Sequence, residues 1–142
     1  MAKVLILEDD VVFGFQLKTD LEKSKHVVDV CTTASAAIEN LWLNTYDLLI
    51  SDIIVKKRGH SIPDGGIRLI GWVRQNPKTN ALPIIAITGA HKLPGMLHVL
   101  TTAEQVGANV ALEKPFNIAD LLANVDHLVA SSRNDACDLG RD

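Results

Sequence analysis

Short unbroken apolar runs alternate with helix-period segments along this chain, five times over, and few folds accept that pattern. Residues 4–7, 48–50 and 84–87 contain no polar side chain, as expected of strands covered by helices on both faces. Val27–Cys31 is interrupted by Asp29, which suits an edge strand, and residues 110–112 make a fifth, weaker strand. Between the strands, Phe13, Leu17 and Leu21 fall on one helical face, with Asp10 ahead of them as an N-cap. Ala34, Ala37, Ile38 and Leu41 repeat the pattern, and so do Ile67, Ile70 and Val73. Ile118, Leu121, Leu122, Val125, Leu128 and Val129 form the clearest apolar stripe, and residues 97–106 form a looser helix. Strand followed by helix, repeated, predicts an α/β domain: one doubly wound, five-stranded parallel sheet with right-handed crossovers and helices on both faces.

Such a sheet of 142 residues fits one domain. The expected boundaries are residues 1–130 for the domain and 131–142 for a polar tail or the start of a linker, because SSRNDACDLGRD lacks periodicity. A net charge of −3 gives no general case for nucleic-acid binding. Cys31 and Cys137 have no metal-ligand spacing and suit a reducing compartment; Cys31 reads as a small core residue. The opening MAKVLILEDD turns acidic too soon for a signal peptide, and no apolar stretch approaches the ~20 residues of a membrane-spanning helix. The expected location is the cytoplasm, with no membrane contact.

Binding sites in open parallel sheets form beyond the carboxyl ends of the strands. Read at those ends, the chain offers Glu8 and Asp9, then Asp52, Thr88 and Lys114, from four separated stretches. Clustered carboxylates favour a proton or a cation, and an all-oxygen set suits Mg²⁺. A carboxylate can attack phosphorus to form an aspartyl phosphate. A lysine and a metal then neutralise charge on the equatorial oxygens, while a hydroxyl donates to one of them.

LILEDD, DLLISD, IIAITGA and LEKPF, in that order, resemble the receiver domain of two-component response regulators, over roughly residues 3–130. The resemblance implies a flavodoxin-like sheet of order 2-1-3-4-5. It implies Asp52 as phosphoacceptor, with Glu8, Asp9, Asp52 and the backbone carbonyl of Ile54 holding Mg²⁺. Thr88 would bind a phosphoryl oxygen and Lys114 would pair with the phosphoryl group; the Lys114–Pro115 bond would be cis. A histidine kinase or phosphotransfer protein would supply the phosphoryl group, and an unknown protein partner would read the result. The chain would catalyse only its own modification. The alternative is a constitutive protein-interaction module with the same fold and no phosphorylation.

Two departures bear on that expectation. Ala111 stands where the family usually has an aromatic that changes rotamer, so the usual readout through the face formed by the fourth helix, fifth strand and fifth helix is in doubt, and movement of the loop and the fourth helix would carry the output. The segment IIVKKRGHSIPDGG after Asp52 is longer than usual; it reads as a solvated insertion, or as a basic lip formed by Lys56, Lys57, Arg58 and His60. The five histidines show no ligand spacing and read as surface residues, with His60 and His91 bordering the site; Trp42 and Trp72 read as packing residues.

Overall fold

The computed structural model describes residues 2–53, 55–57, 60–62, 64–88, 107–114 and 116–140, with only the backbone course of 55–57, 60–62, 64–65, 88 and 133–140. Strands β1 (Lys3–Leu7), β2 (Val27–Cys31), β3 (Leu48–Asp52), β6 (Ile84–Thr88) and β7 (Val110–Glu113) form one sheet in the order β2-β1-β3-β6-β7. Every neighbouring pair is parallel. Counting only these five strands, the order is 2-1-3-4-5, the expected topology. β4 (Val55–Lys57) and β5 (His60–Ile62) pair as a separate antiparallel ribbon within the long segment after Asp52. The looser helix expected at residues 97–106 lies outside the described residues.

Helices α1 (Val11–Lys23), α2 (Ala34–Leu43), α3 (Asp64–Gln75) and α4 (Ile118–Gly140) cover the sheet. Successive strand side chains point to opposite faces, so β1 splits between two cores. Leu5 and Leu7 join Ala37 and Leu41 of α2 and Leu69, Ile70 and Val73 of α3. Val4 and Ile6 join Leu17 and Leu21 of α1 and Leu121, Val125 and Val129 of α4. All four β1 side chains from Val4 to Leu7 are fully buried, which explains why that run carries no polar residue. Asp29 is tolerated because β2 is an edge strand; its carboxylate accepts a 2.7 Å hydrogen bond from the Tyr46 hydroxyl.

Local chemistry sets the helix starts. Asp10 caps α1, its carboxylate accepting from the backbone N–H of Val12 and Phe13, and Thr33 caps α2 through Ala36 N. The base of the sheet is held by Arg74, which donates to the carbonyls of Gly107, Asn80 and Leu82 and to Asn109 Oδ1. Gly107 has φ of +143°, and a Cβ there would meet the Arg74 side chain at 2.6 Å.

Two expectations need correction, and the segment expected as a polar tail or the start of a linker is helical over most of its length: α4 runs on to Gly140, because residues 131–139 contain neither glycine nor proline to stop a helix already nucleated upstream. His26 is not a surface residue but is 8% exposed. Its Nδ1 accepts from Ala2 N, which anchors the residue before β1, while among the described residues Nε2 has no hydrogen-bond partner and lies 3.6 Å from Asp126 Oδ1. Trp42 is 61% exposed rather than packed; it follows Leu41 on α2, and only one face of that helix meets the sheet. Trp72 packs on the α2–α3 side core as expected.

Candidate functional site

The register brings the expected residues to one edge. Leu7, the residue before Glu8, pairs with Ser51, the residue before Asp52. Asp52 in turn pairs with Ile87, and Thr88 pairs with Glu113, next to Lys114. Four carboxyl ends of parallel strands therefore open on the same cleft. α3 closes in from one side: a Cβ on Gly66 would fall on the carbonyl oxygen of Asp52 and on Cα of Ile53. Gly66 is what allows the helix to approach the Asp52 backbone so nearly.

Within the cleft, Glu8, Asp9 and Asp52 each offer a carboxylate oxygen, all within 4.8 Å of one another. Glu8 is 1% exposed and Asp52 5% exposed. Lys114 reaches both, with Nζ 2.8 Å from Glu8 Oε2 and 3.1 Å from Asp52 Oδ2. The second oxygen of Glu8 accepts from Asp10 N at 3.1 Å, so the cap residue of α1 also helps to orient the acid pair. The other side of the ammonium lies over the Phe13 ring, 4.3 Å from its centroid, and Phe116 packs edge-on against Phe13. Thr88 ends β6 at this edge; its side chain, Ile54 and the Lys114–Pro115 bond lie outside the described residues.

These contacts shape the electrostatics. Burial, and then the Asp52 charge, push the Glu8 carboxyl from 4.5 up to about 8, against the opposing pull of Lys114 and the Asp10 N–H. Burial pulls the Lys114 ammonium down, but its hydrogen bond to Glu8 and the charges of Asp52 and Glu8 outweigh that and raise it overall. The lysine thus stays charged at neutral pH, while burial and the Asp52 charge bias the Glu8 carboxyl toward its protonated form. A buried acid cluster with that bias is one that a divalent cation would relieve, and the donors are hard oxygens. Glu8, Asp9 and Asp52 are therefore the residues that could hold a metal.

The sequence pattern missed three contributors. Phe13 reads as one position of an apolar stripe, and nothing in that stripe marks it as the residue beneath an ammonium. Phe116 lies inside the LEKPF motif, but its contact with Phe13, like the approach of Gly66 to Asp52, is a tertiary one that local spacing does not reveal. Ala111 packs as a partly buried residue on the α2–α3 core.

An open parallel sheet with acids and a lysine gathered beyond its strand ends defines a class: flavodoxin-like α/β domains with a cation-attracting acidic pocket. A family model for the response regulator receiver domain matches residues 4–126. Response regulator ArlR of Staphylococcus saprophyticus is 30% identical over 129 residues, a match covering 88% of this chain and 51% of that protein. The phosphate regulon transcriptional regulatory protein PhoB of Rhizobium meliloti is 29% identical over 133 residues, covering 94% of this chain and 54% of that protein. Among solved structures, a two-component response regulator from Clostridium difficile superposes with a TM-score of 0.77 at 25% identity, covering 92% of this chain and 97% of that one. A Francisella response regulator receiver domain shares the fold, with a TM-score of 0.77 at 23% identity, covering 93% of this chain and 99% of that one.

The chain belongs to the response regulator receiver domain family. The chain spans about half the length of the curated relatives it matches. No helix among the described residues is long and apolar enough to cross a membrane.

Proposed function

We propose that Asp52 accepts a phosphoryl group from a histidine kinase or phosphotransfer protein, in a Mg²⁺-dependent reaction, and that the product changes the binding of a downstream protein. The observation that carries this reading is the Asp52 carboxylate itself, which stands 3.1 Å from Lys114 Nζ, with oxygens of Glu8 and Asp9 within 4.8 Å.

An Asp52 oxygen attacks phosphorus, forming an O–P bond as the donor's P–N bond breaks and its electron pair returns to the imidazole. Glu8, Asp9, Asp52 and the backbone carbonyl of Ile54 would hold Mg²⁺, which when bound neutralises charge on the phosphoryl oxygens. Lys114, already hydrogen-bonded to Asp52, pairs with the incoming phosphoryl group. Thr88, on the neighbouring strand end, donates to another of its oxygens and couples the modification to the loop that follows. With Ala111 in place of a switching aromatic, the readout runs through that loop rather than through a ring flip. The role proposed for this domain involves proteins on both sides and no direct contact with nucleic acid.

Intact mass after incubation with Mg²⁺ and acetyl phosphate tests the reading. Wild type should gain one phosphoryl mass of about 80 Da, lost with chelator and absent from Asp52→Asn. No gain, with acetyl phosphate or with candidate kinases, would leave the constitutive interaction module as the better account.

A further inference from the structure

Lys114 has three N–H donors and no acceptor. Two of its directions are taken by Glu8 Oε2 at 2.8 Å and Asp52 Oδ2 at 3.1 Å. The ring of Phe13 lies 4.3 Å from the same nitrogen, within the range in which an aromatic face attracts a cation. Phe13 is itself held, because Phe116 meets it edge-to-face with centroids 6.0 Å apart and planes at 81°, a favoured aromatic geometry. Both rings also pack against the α1–α4 side core, so the platform is anchored to the body of the domain and not to a loop.

We infer that Phe13 is a positioning residue for the phosphoryl-transfer site: its ring, braced by Phe116, holds the Lys114 ammonium over Asp52 and keeps water off its far side. A lysine side chain is flexible, and two carboxylates alone leave it free to swing between Glu8 and solvent. A ring face under the nitrogen removes that freedom at no cost in charge, since it attracts the cation without competing as a hydrogen-bond acceptor for the phosphoryl oxygens. The inference rests on the phosphoacceptor reading above. It also explains why α1 begins where it does. The Asp10 cap accepts from Phe13 N at 3.1 Å and fixes the start of the turn that presents the ring, while Asp10 N donates to Glu8.

The test compares wild type with Phe13→Leu, which keeps apolar bulk but removes the ring face, and Phe13→Tyr, which keeps the face. With acetyl phosphate and Mg²⁺, followed by intact mass, Phe13→Leu should be phosphorylated about three- to tenfold more slowly, and Phe13→Tyr within about twofold of wild type. A ¹H–¹⁵N spectrum tuned to lysine ammonium groups reports on the mechanism. The Lys114 signal should persist in wild type and Phe13→Tyr, and be lost to fast exchange with water in Phe13→Leu. Equal rates for Leu and wild type would overturn the inference, and so would a slower Leu variant whose Lys114 signal is unchanged. No phosphorylation of wild type would overturn the functional reading and this inference together, so the two failures are distinguishable.

Discussion

Lys114 Nζ stands 2.8 Å from Glu8 Oε2, although 106 residues separate the two. The contact joins the end of the first strand to the end of the last and sets one ammonium against a buried acid cluster. It leaves that cluster short of positive charge, and two expectations follow from the deficit.

The first concerns pH. Burial and the Asp52 charge raise Glu8 from 4.5 to about 8, so between those values the folded chain holds a proton that the unfolded chain has lost. Folding stability contributed by this site therefore falls as pH climbs from about 5 to about 8, and the loss is complete above that. Glu8→Gln cannot ionise and removes the slope. In metal-free buffer, the urea midpoint of Glu8→Gln minus that of wild type should grow from about pH 5 to about pH 9. A difference that stays constant over that range would show that Glu8 ionises as an ordinary carboxylate.

Metal binding should carry the same signature. Uptake of Mg²⁺ by Glu8, Asp9 and Asp52 displaces the Glu8 proton, so affinity should rise about tenfold per pH unit below about pH 8 and level off above it. Calorimetry in two buffers of different ionisation enthalpy should find about one proton released near neutral pH. Asp9→Asn should weaken binding at least about tenfold by removing a charged ligand.

Gly66→Ala should damage both fold and site. The new Cβ would fall on the Asp52 carbonyl and on Ile53 Cα, which are backbone atoms with little room to yield. Overpacking of this kind costs about 1–3 kcal/mol, read as a lower urea midpoint at unchanged m-value. Phosphorylation of the variant should slow as well, because the strain is relieved by moving the Asp52 backbone or the start of α3.

Arg74→Lys should be destabilising despite conserving charge. The guanidinium donates to Gly107 O at 2.9 Å, Leu82 O at 2.6 Å, Asn80 O at 3.1 Å and Asn109 Oδ1 at 2.9 Å. A lysine cannot reproduce that planar fork, and the orphaned carbonyls would cost about 2–3 kcal/mol by urea unfolding. Acetyl phosphate reactivity should be little changed at temperatures where the variant is folded, since Arg74 holds the opposite end of the sheet from Asp52.

Apolar periodicity pointed to the layered α/β class of this protein, while its strand order was implied by the resemblance of its motifs to a known family. Runs such as residues 4–7 must be covered on both faces, and Asp29 can be accommodated only at an edge, so five strands with intervening helices leave little choice but a parallel sheet. The same rule placed Glu8, Asp9, Asp52 and Lys114 together, since parallel strands open at a common edge. Other features depended on contacts between residues far apart in the chain, for which local spacing carries no signal. His26 became a buried acceptor because the N–H of Ala2 needed a partner, and Trp42 was left in solvent by the face α2 presents. Residues 131–140 became helical because nothing in them stops a helix already begun. Only the tertiary structure brought Phe13 and Phe116 under the Lys114 ammonium, pressed Gly66 against Asp52 and raised the Glu8 carboxyl. Distance, burial and neighbouring charge arise only when the strands and helices assemble.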